Sequence, residues 1–236
     1  MNLIFDIRQR TADAVSEFWR TKQLQLKASK DPSGRGAVTG GKQMDGFLSL
    51  IRDACIAVGT PEQCIFDKNN YLPGFFRSSK DWDLIIISPK GKLIAAIELK
   101  SQVGSYGNNF NNRTEEALGS ATDLWTAYRE HQFPTMGPPW IGFLMLIGRD
   151  ADSTAPVRNH ENHYPVLPEF ANASYIDRYR ILCEKLVSER LYSAACLICS
   201  PHNSGTFDSA SGLISVERFI HSLQGHLIGC ADEFNS

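Results

Sequence analysis

Asp83, Glu98 and Lys100 put two carboxylates and an amine on two apolar runs, Leu84-Ile85-Ile86-Ile87 and Leu93-Ile94-Ala95-Ala96-Ile97. Two carboxylates held close together repel, and burying both is costly unless a cation lies between them. Mg²⁺ suits such a site, because it takes hard oxygen ligands and usually keeps several waters. Asp83 and Glu98 would supply two oxygens, and the Leu99 carbonyl a third. Lys100 would then meet an attacking water or the negative charge developing on a phosphate. A bound ion of this kind polarises a phosphoryl oxygen and acidifies its water, which is the chemistry of phosphodiester hydrolysis. An isolated Glu-x-Lys is ordinarily an exposed strand end. An aspartate on a pairing strand, with apolar runs on both sides, raises the triplet to a candidate site. Asp81 shares the strand parity of Asp83 but lies nearer the start of the run, so Asp83 is the preferred carboxylate.

The elements that must position these groups are two strands and a turn. Each run is β-branched and apolar enough for a central strand, and Pro89-Lys90-Gly91 is turn chemistry. Side chains alternate across a strand, so Glu98 and Lys100 share one face while Leu99 points into the core. A hairpin closing on Lys90 and Gly91 predicts that Asp83 lies opposite Glu98. A slip of one residue would send one strand's side chains to the other face and separate the pair.

The surrounding pattern predicts an α/β fold in one domain, 1–236, with a central mixed sheet flanked by helices. An amphipathic helix is expected over 6–22, with Ile7, Val15, Phe18 and Trp19 as its apolar stripe. A second carries Phe47, Leu48, Ile51 and Cys55 and ends near Gly59-Thr60-Pro61. A polar loop is expected over 101–112, then a helix from about Thr114 to His131. A strand over 141–147, a long irregular stretch over 150–168 and a helix capped by Ser174 follow. A short strand over 194–199 and a last helix bearing Val216, Phe219, Ile220, Leu223 and Leu227 complete the chain.

At 236 residues with 42% apolar content the chain is long enough for a full core. No apolar run approaches the ~18 residues a membrane span needs. Asp6 and Arg8 interrupt the N-terminal apolar residues, so no signal peptide is expected. Six cysteines, several in apolar runs, read as reduced thiols of a cytoplasmic protein. The net charge of −2 does not exclude nucleic acid, because only the local footprint must be basic. Between Arg20 and Lys42, six cations including Arg35 and Lys42 face the single acid Asp31. With a nuclease site nearby, this segment is expected to meet DNA.

Rival motifs are weaker. Gly36-Ala37-Val38-Thr39-Gly40-Gly41-Lys42 imitates a nucleotide loop, but Gln43 stands where the Mg²⁺-binding hydroxyl belongs and no strand precedes it. Cys196-x-x-Cys199 with His202 lacks a fourth zinc ligand and sits in an apolar strand pattern, where thiols pack well. The cluster Asn108, Asn109, Asn111, Asn112 and Arg113 is more informative. Asparagine can bond adenine edges and arginine can read guanine. Beginning soon after Lys100, the cluster should border a bound duplex.

Asp83 followed by Glu98-x-Lys100 resembles the PD-(D/E)xK nuclease motif. Glu98-Leu99-Lys100-Ser101-Gln102-Val103-Gly104 and Gly107-Asn108-Asn109-Phe110-Asn111-Asn112-Arg113 resemble the Xho-type restriction endonucleases far more specifically. Gly40 to Phe47, Leu72 to Arg77, Trp125 to Glu130, Gly142 to Leu146 and Phe170 to Tyr175 extend the likeness to about Leu186. Trp82 replaces the proline that names the motif; proline is not a ligand, so the chemistry is unaffected. The resemblance implies a homodimeric, Mg²⁺-dependent type II enzyme that cuts double-stranded DNA at CTCGAG and leaves 5′ overhangs. It also implies a cognate DNA methyltransferase acting on the same sequence without need of a complex. Loops 20–42, 101–113 and 150–168 are the expected DNA contacts. A structure-specific repair or recombination nuclease and a non-catalytic DNA-binding module are the competing readings.

Overall fold

Both apolar runs are strands of one mixed sheet, as expected for β-branched segments buried on two faces. The structure, a computed structural model, describes residues 5–29, 42–134 and 137–235. β4 (Leu84–Ile87) and β5 (Leu93–Gln102) run antiparallel, with Leu84 facing Ile97, Ile85 facing Ala96 and Ile86 facing Ala95. This is the predicted alignment, reached by a different route. The turn is a three-residue loop over Pro89, Lys90 and Gly91, in which the Ser88 amide donates to the Lys92 carbonyl (2.9 Å). Gly91 takes the left-handed φ of 76° that this loop requires. The loop leaves Ile87 facing Leu93, and a bulge between Ile86 and Ile87 moves the remaining pairs back into the predicted alignment.

The full sheet has the order β1-β4-β5-β6-β7-β8, where β1 is Ile65–Phe66, β6 Trp140–Arg149, β7 Ala194–Pro201 and β8 Asp208–Ser209. The three central strands β5, β6 and β7 are parallel, and the outer pairings are antiparallel. A separate ribbon pairs β2 (Tyr71–Leu72) with β3 (Lys80–Asp81).

One face of the sheet packs Leu84, Ile97, Leu99 and Leu144 against α1 (Ile7–Ser29), α2 (Asp45–Ile56) and α6 (Val216–Gly229). The other packs Ile85, Ala96, Phe143 and Met145 against α3 (Tyr106–Arg129) and α5 (Tyr175–Ser188). Ser174 caps α5 as expected, in a reciprocal box with Asp177. Cys196 and Cys199 are both fully buried and belong to opposite faces, so they cannot share a zinc ion.

Two segments expected as loops are helical in part among the described residues. The segment 101–113 was expected to be a loop, but α3 begins at Tyr106, two turns before Thr114. Buried Tyr106 fixes that start, its hydroxyl lying 3.0 Å from the Gly148 carbonyl and 2.7 Å from Asp150 Oδ2. Tertiary anchoring here overrides the weak helix preference of asparagine. In the segment 20–42, α1 continues to Ser29 instead of ending at Lys22, because Gln23 to Ala28 are good helix formers. Arg20, Lys22 and Lys27 are therefore helical, while Arg35 and most of the Gly36–Lys42 motif lie outside the described residues.

The 150–168 stretch opens with a short helix, α4 (Ala151–Thr154), capped by Asp150. Its base is tied down by Asn159, which donates to the Phe170 carbonyl (2.9 Å) and accepts from Arg178 (2.7 Å). Residues 160–165 are all exposed. No helix among the described residues is long and apolar enough to cross a membrane.

Candidate active site

Strand parity sends Glu98 and Lys100 to the α3/α5 face, between the buried Ala96 and the polar end of β5. The Glu98 side chain is only 4% exposed and lies beside Phe143 of β6. A carboxylate so buried needs charged partners, and it has two. Lys100 Nζ pairs with Oε1, and Lys80 Nζ lies 2.6 Å from Oε2.

Asp83 is placed differently from the expected ladder position opposite Glu98. It lies just outside β4, and its amide donates to the Ile97 carbonyl (3.1 Å), the residue that Leu84 already faces. The chain has left the regular ladder there. The Asp83 carboxylate instead accepts from the Leu99 amide through Oδ2 (2.7 Å), a side chain supplying the acceptor that a strand neighbour would provide. The charges still converge. Burial, with the repulsion of Glu98 added, pushes the Asp83 carboxyl up to about 6, against the opposing pull of the Leu99 amide, Lys100 and Lys80. For Lys100, burial works to lower the pKa, but Glu98, Asp83 and Glu116 together hold it above the ordinary lysine value. Lys100 is therefore an ammonium at neutral pH. Asp81, the rival carboxylate, is exposed on β3 with Lys80 Nζ donating to its carbonyl (3.0 Å).

These residues fit a hard divalent cation. Two crowded carboxylates, one with a raised pKa, make a place where added positive charge is favourable. Among the described residues no group of three or more His, Cys, Asp or Glu comes together, so an all-protein cage is absent there. Two carboxylates with open positions for water and substrate oxygen match the habit of Mg²⁺ better than that of structural zinc.

The asparagines lie on the first two turns of α3. Asn108, Asn111 and Asn112 are exposed, whereas Asn109 is half-buried and donates to the Ser105 carbonyl (2.9 Å). Arg113 is turned inward to Glu116 Oε2 (2.6 Å). Asn112 lies one turn from Glu116 on the same helix face, and the charge of Glu116 reaches Lys100. Asn112 thus lies one turn from a residue whose charge reaches the site. Lys42 is exposed in a single 3₁₀ turn, Lys42–Met44, whose Gln43 donates to Ser101 Oγ on β5 (3.2 Å).

Sequence reasoning missed two participants in the site and one buried structural acid. Lys80 arrives from the β2–β3 ribbon, and the break before β4 conceals its direction; its place three residues before Asp83 is the only signal. Glu116 falls inside the helix expected from Thr114, but its spacing reads only as an acidic helix end and does not show that its charge reaches Lys100. Asp123, on α3, is 4% exposed and accepts from the Phe75 amide (2.8 Å), the Phe76 amide (2.7 Å) and Arg77 Nε (2.8 Å). Burial works against its ionisation, yet Arg77 and the two amides hold its carboxyl below the ordinary value. A Cβ on Gly74 would stand 2.2 Å from Asp123 Oδ2, so only glycine permits this approach. The clamped loop presents Phe75 and Phe76 to solvent, 54% and 69% exposed.

Comparison with known proteins adds the following. The family model described as restriction endonuclease XhoI matches residues 22–211. Type II restriction enzyme BstVI of Geobacillus stearothermophilus is 44% identical over 209 residues, 85% of this chain and 93% of that protein. Type II restriction enzyme XhoI of Xanthomonas vasicola is 45% identical over 180 residues, 73% of this chain and 72% of the relative. Type II restriction enzyme AbrI of Azospirillum brasilense is 44% identical over 149 residues, 60% of this chain and 67% of the relative. No solved structure matches the chain.

Proposed function

This chain belongs to the restriction endonuclease XhoI family and is a site-specific endonuclease; from that premise we propose that it is a Mg²⁺-dependent type II enzyme cutting double-stranded DNA at a palindrome. The observation that carries the reading is the convergence of Asp83, Glu98 and Lys100 on the sheet face that α3 packs against. CTCGAG as the target and 5′ overhangs as the product rest on the sequence resemblance. A palindrome is cut by two symmetric sites, which makes a two-fold homodimer of single-domain subunits the economical assembly.

Asp83 and Glu98 would hold the ion, with the Leu99 carbonyl as a third oxygen. Mg²⁺ in that position polarises the phosphoryl oxygen and supplies an acidified water. The Leu99 amide fixes the Asp83 carboxylate in place before substrate arrives. Lys100, an ammonium in the metal-free protein, would act by donating hydrogen bonds to the water or to a non-bridging phosphate oxygen. Asn108, Asn111 and Asn112, exposed on the first two turns of α3, would reach base edges. Asn109 and Arg113, engaged with Ser105 and Glu116, support the helix that carries them. Lys42, Arg35 and the exposed tip of 150–168 are assigned to the flanking backbone.

Digestion of a plasmid of known sequence with Mg²⁺, followed by end sequencing, tests this directly. Discrete fragments whose ends all map to CTCGAG with 5′ extensions are expected. Cutting confined to junctions or flaps selects the repair-type reading instead. Lys100→Ala should lose cleavage while keeping specific binding; cleavage by that variant at the wild-type rate removes Lys100 from the site.

A further inference from the structure

The Glu98 carboxylate is covered on both oxygens by lysines, and only Lys100 belongs to the motif that suggested the site. Lys80 is held with unusual completeness for a lysine. Its side chain is 12% exposed, its Nζ lies 2.6 Å from Glu98 Oε2 and 3.0 Å from the Asp81 carbonyl, and it stands 4.8 Å above the ring of buried Trp82. Carboxylate, carbonyl and aromatic face together replace most of the water an ammonium prefers. Trp82 is itself fixed by Asn70, which bonds both its amide (3.2 Å) and its carbonyl. The tryptophan standing where the motif has proline thus has a structural role: it is the floor on which Lys80 rests.

Electrostatics gives this arrangement a consequence. Asp83 and Glu98 carry two negative charges, and Lys80 and Lys100 carry two positive charges, so the metal-free cluster is locally neutral. A divalent ion approaching Glu98 meets an ammonium already on Oε2. It must displace that ammonium or be repelled by it. Lys80 leaves easily only if another anion is offered nearby, and a DNA phosphate is that anion.

We propose that Lys80 is a positioning residue and resident counter-ion of Glu98, which competes with the divalent cation until a DNA phosphate draws it away. The inference rests on the active-site reading given above. It makes binding of metal and of duplex mutually reinforcing, since each relieves the other's cost, and linkage requires the coupling to be reciprocal. In the free protein Lys80 holds the Glu98 carboxylate in place through Oε2 while holding metal affinity low. On DNA it supplies a positive charge to the backbone beside the scissile bond.

Calorimetric titration of Ca²⁺ into the full-length protein, without DNA and then with an uncut cognate duplex, tests the coupling. The wild type should bind the ion more tightly with duplex present, by roughly tenfold, a typical coupling factor. Lys80→Met keeps an apolar stem on Trp82 and removes the charge. It should bind Ca²⁺ tighter than wild type without DNA and lose most of the duplex-dependent gain, whereas Lys80→Arg should restore both behaviours. Unchanged or weaker Ca²⁺ binding by folded Lys80→Met overturns the proposal. So does a wild type whose Ca²⁺ affinity ignores the duplex, a measurement that needs no variant. Glu98→Gln separates the two levels of inference. If it binds Ca²⁺ like wild type, the active-site reading itself fails; if it does not, a null result at Lys80 overturns only the counter-ion role.

Discussion

Glu98 and Asp123 are equally buried carboxylates, each 4% exposed, and they are satisfied in opposite ways. Asp123 accepts two backbone amides and one guanidinium, all contributed by a single loop that it pins to α3. Glu98 accepts no backbone donor among the hydrogen bonds described and is held by two lysine side chains. Backbone amides cannot leave without unfolding the loop, whereas ammonium groups can turn aside. Burial alone therefore does not distinguish a structural acid from a reactive one. The exchangeability of its partners does.

The contrast predicts a clean division of mutational effects. Glu98→Gln should lower the cleavage rate on the order of 10³-fold in single-turnover assays if, as proposed, Glu98 holds the divalent ion. A retained circular dichroism spectrum would show that chemistry, not folding, was lost. Asp123→Ala should reverse the pattern, lowering unfolding free energy by about 2–3 kcal/mol because buried donors lose their acceptor. Chemical denaturation measures this, and a stability loss at Glu98 as large as at Asp123 would erase the distinction. Asn112→Ala sharpens the comparison from the exposed side. It should weaken cognate binding by roughly 1–2 kcal/mol while leaving non-cognate binding unchanged, as fluorescence anisotropy would report.

The smallest effect is the dependence on pH. Asp83 titrates at about 6 in the fold, above its ordinary value of 3.8, so the folded metal-free protein retains a proton that the unfolded chain releases. Its contribution to stability is present below the ordinary value and is lost as pH rises through about 6. A divalent ion needs the carboxylate, so its affinity should fall about tenfold per pH unit below that point. Mg²⁺ should accordingly raise the melting temperature at pH 7.5 and have little effect at pH 5, which differential scanning calorimetry can follow.

The strands beside the acids were legible because the runs are apolar and β-branched, and side-chain alternation along a strand fixes which faces Glu98, Lys100 and Leu99 take. Their alignment was predicted from a two-residue turn; the real loop is longer by one, and the bulge at Ile86/Ile87 compensates. Local turn rules do not reveal such compensation. The start of α3 was illegible for another reason. Asparagine favours turns, and only Tyr106 docking under Gly148 and Asp150, distant in sequence, makes the segment helical. Lys80 was hidden because its ribbon is outside the main sheet, and strand parity says nothing about where a separate ribbon aims a side chain. Ser174, by contrast, was readable because capping is local.

Only Val103, Gly104 and Ser105 lie between β5 and α3, and Ser105 is held at a left-handed φ of 47°. A non-glycine residue persists in that region only where its surroundings hold it there. With Gly104 beside it also at positive φ (72°), the junction is short and leaves few residues to absorb movement. A tilt of the asparagine-bearing turns on an imperfect sequence would be transmitted along the chain to Lys100 as a misaimed ammonium, so that a mismatch could be felt as slow chemistry even where the duplex still binds.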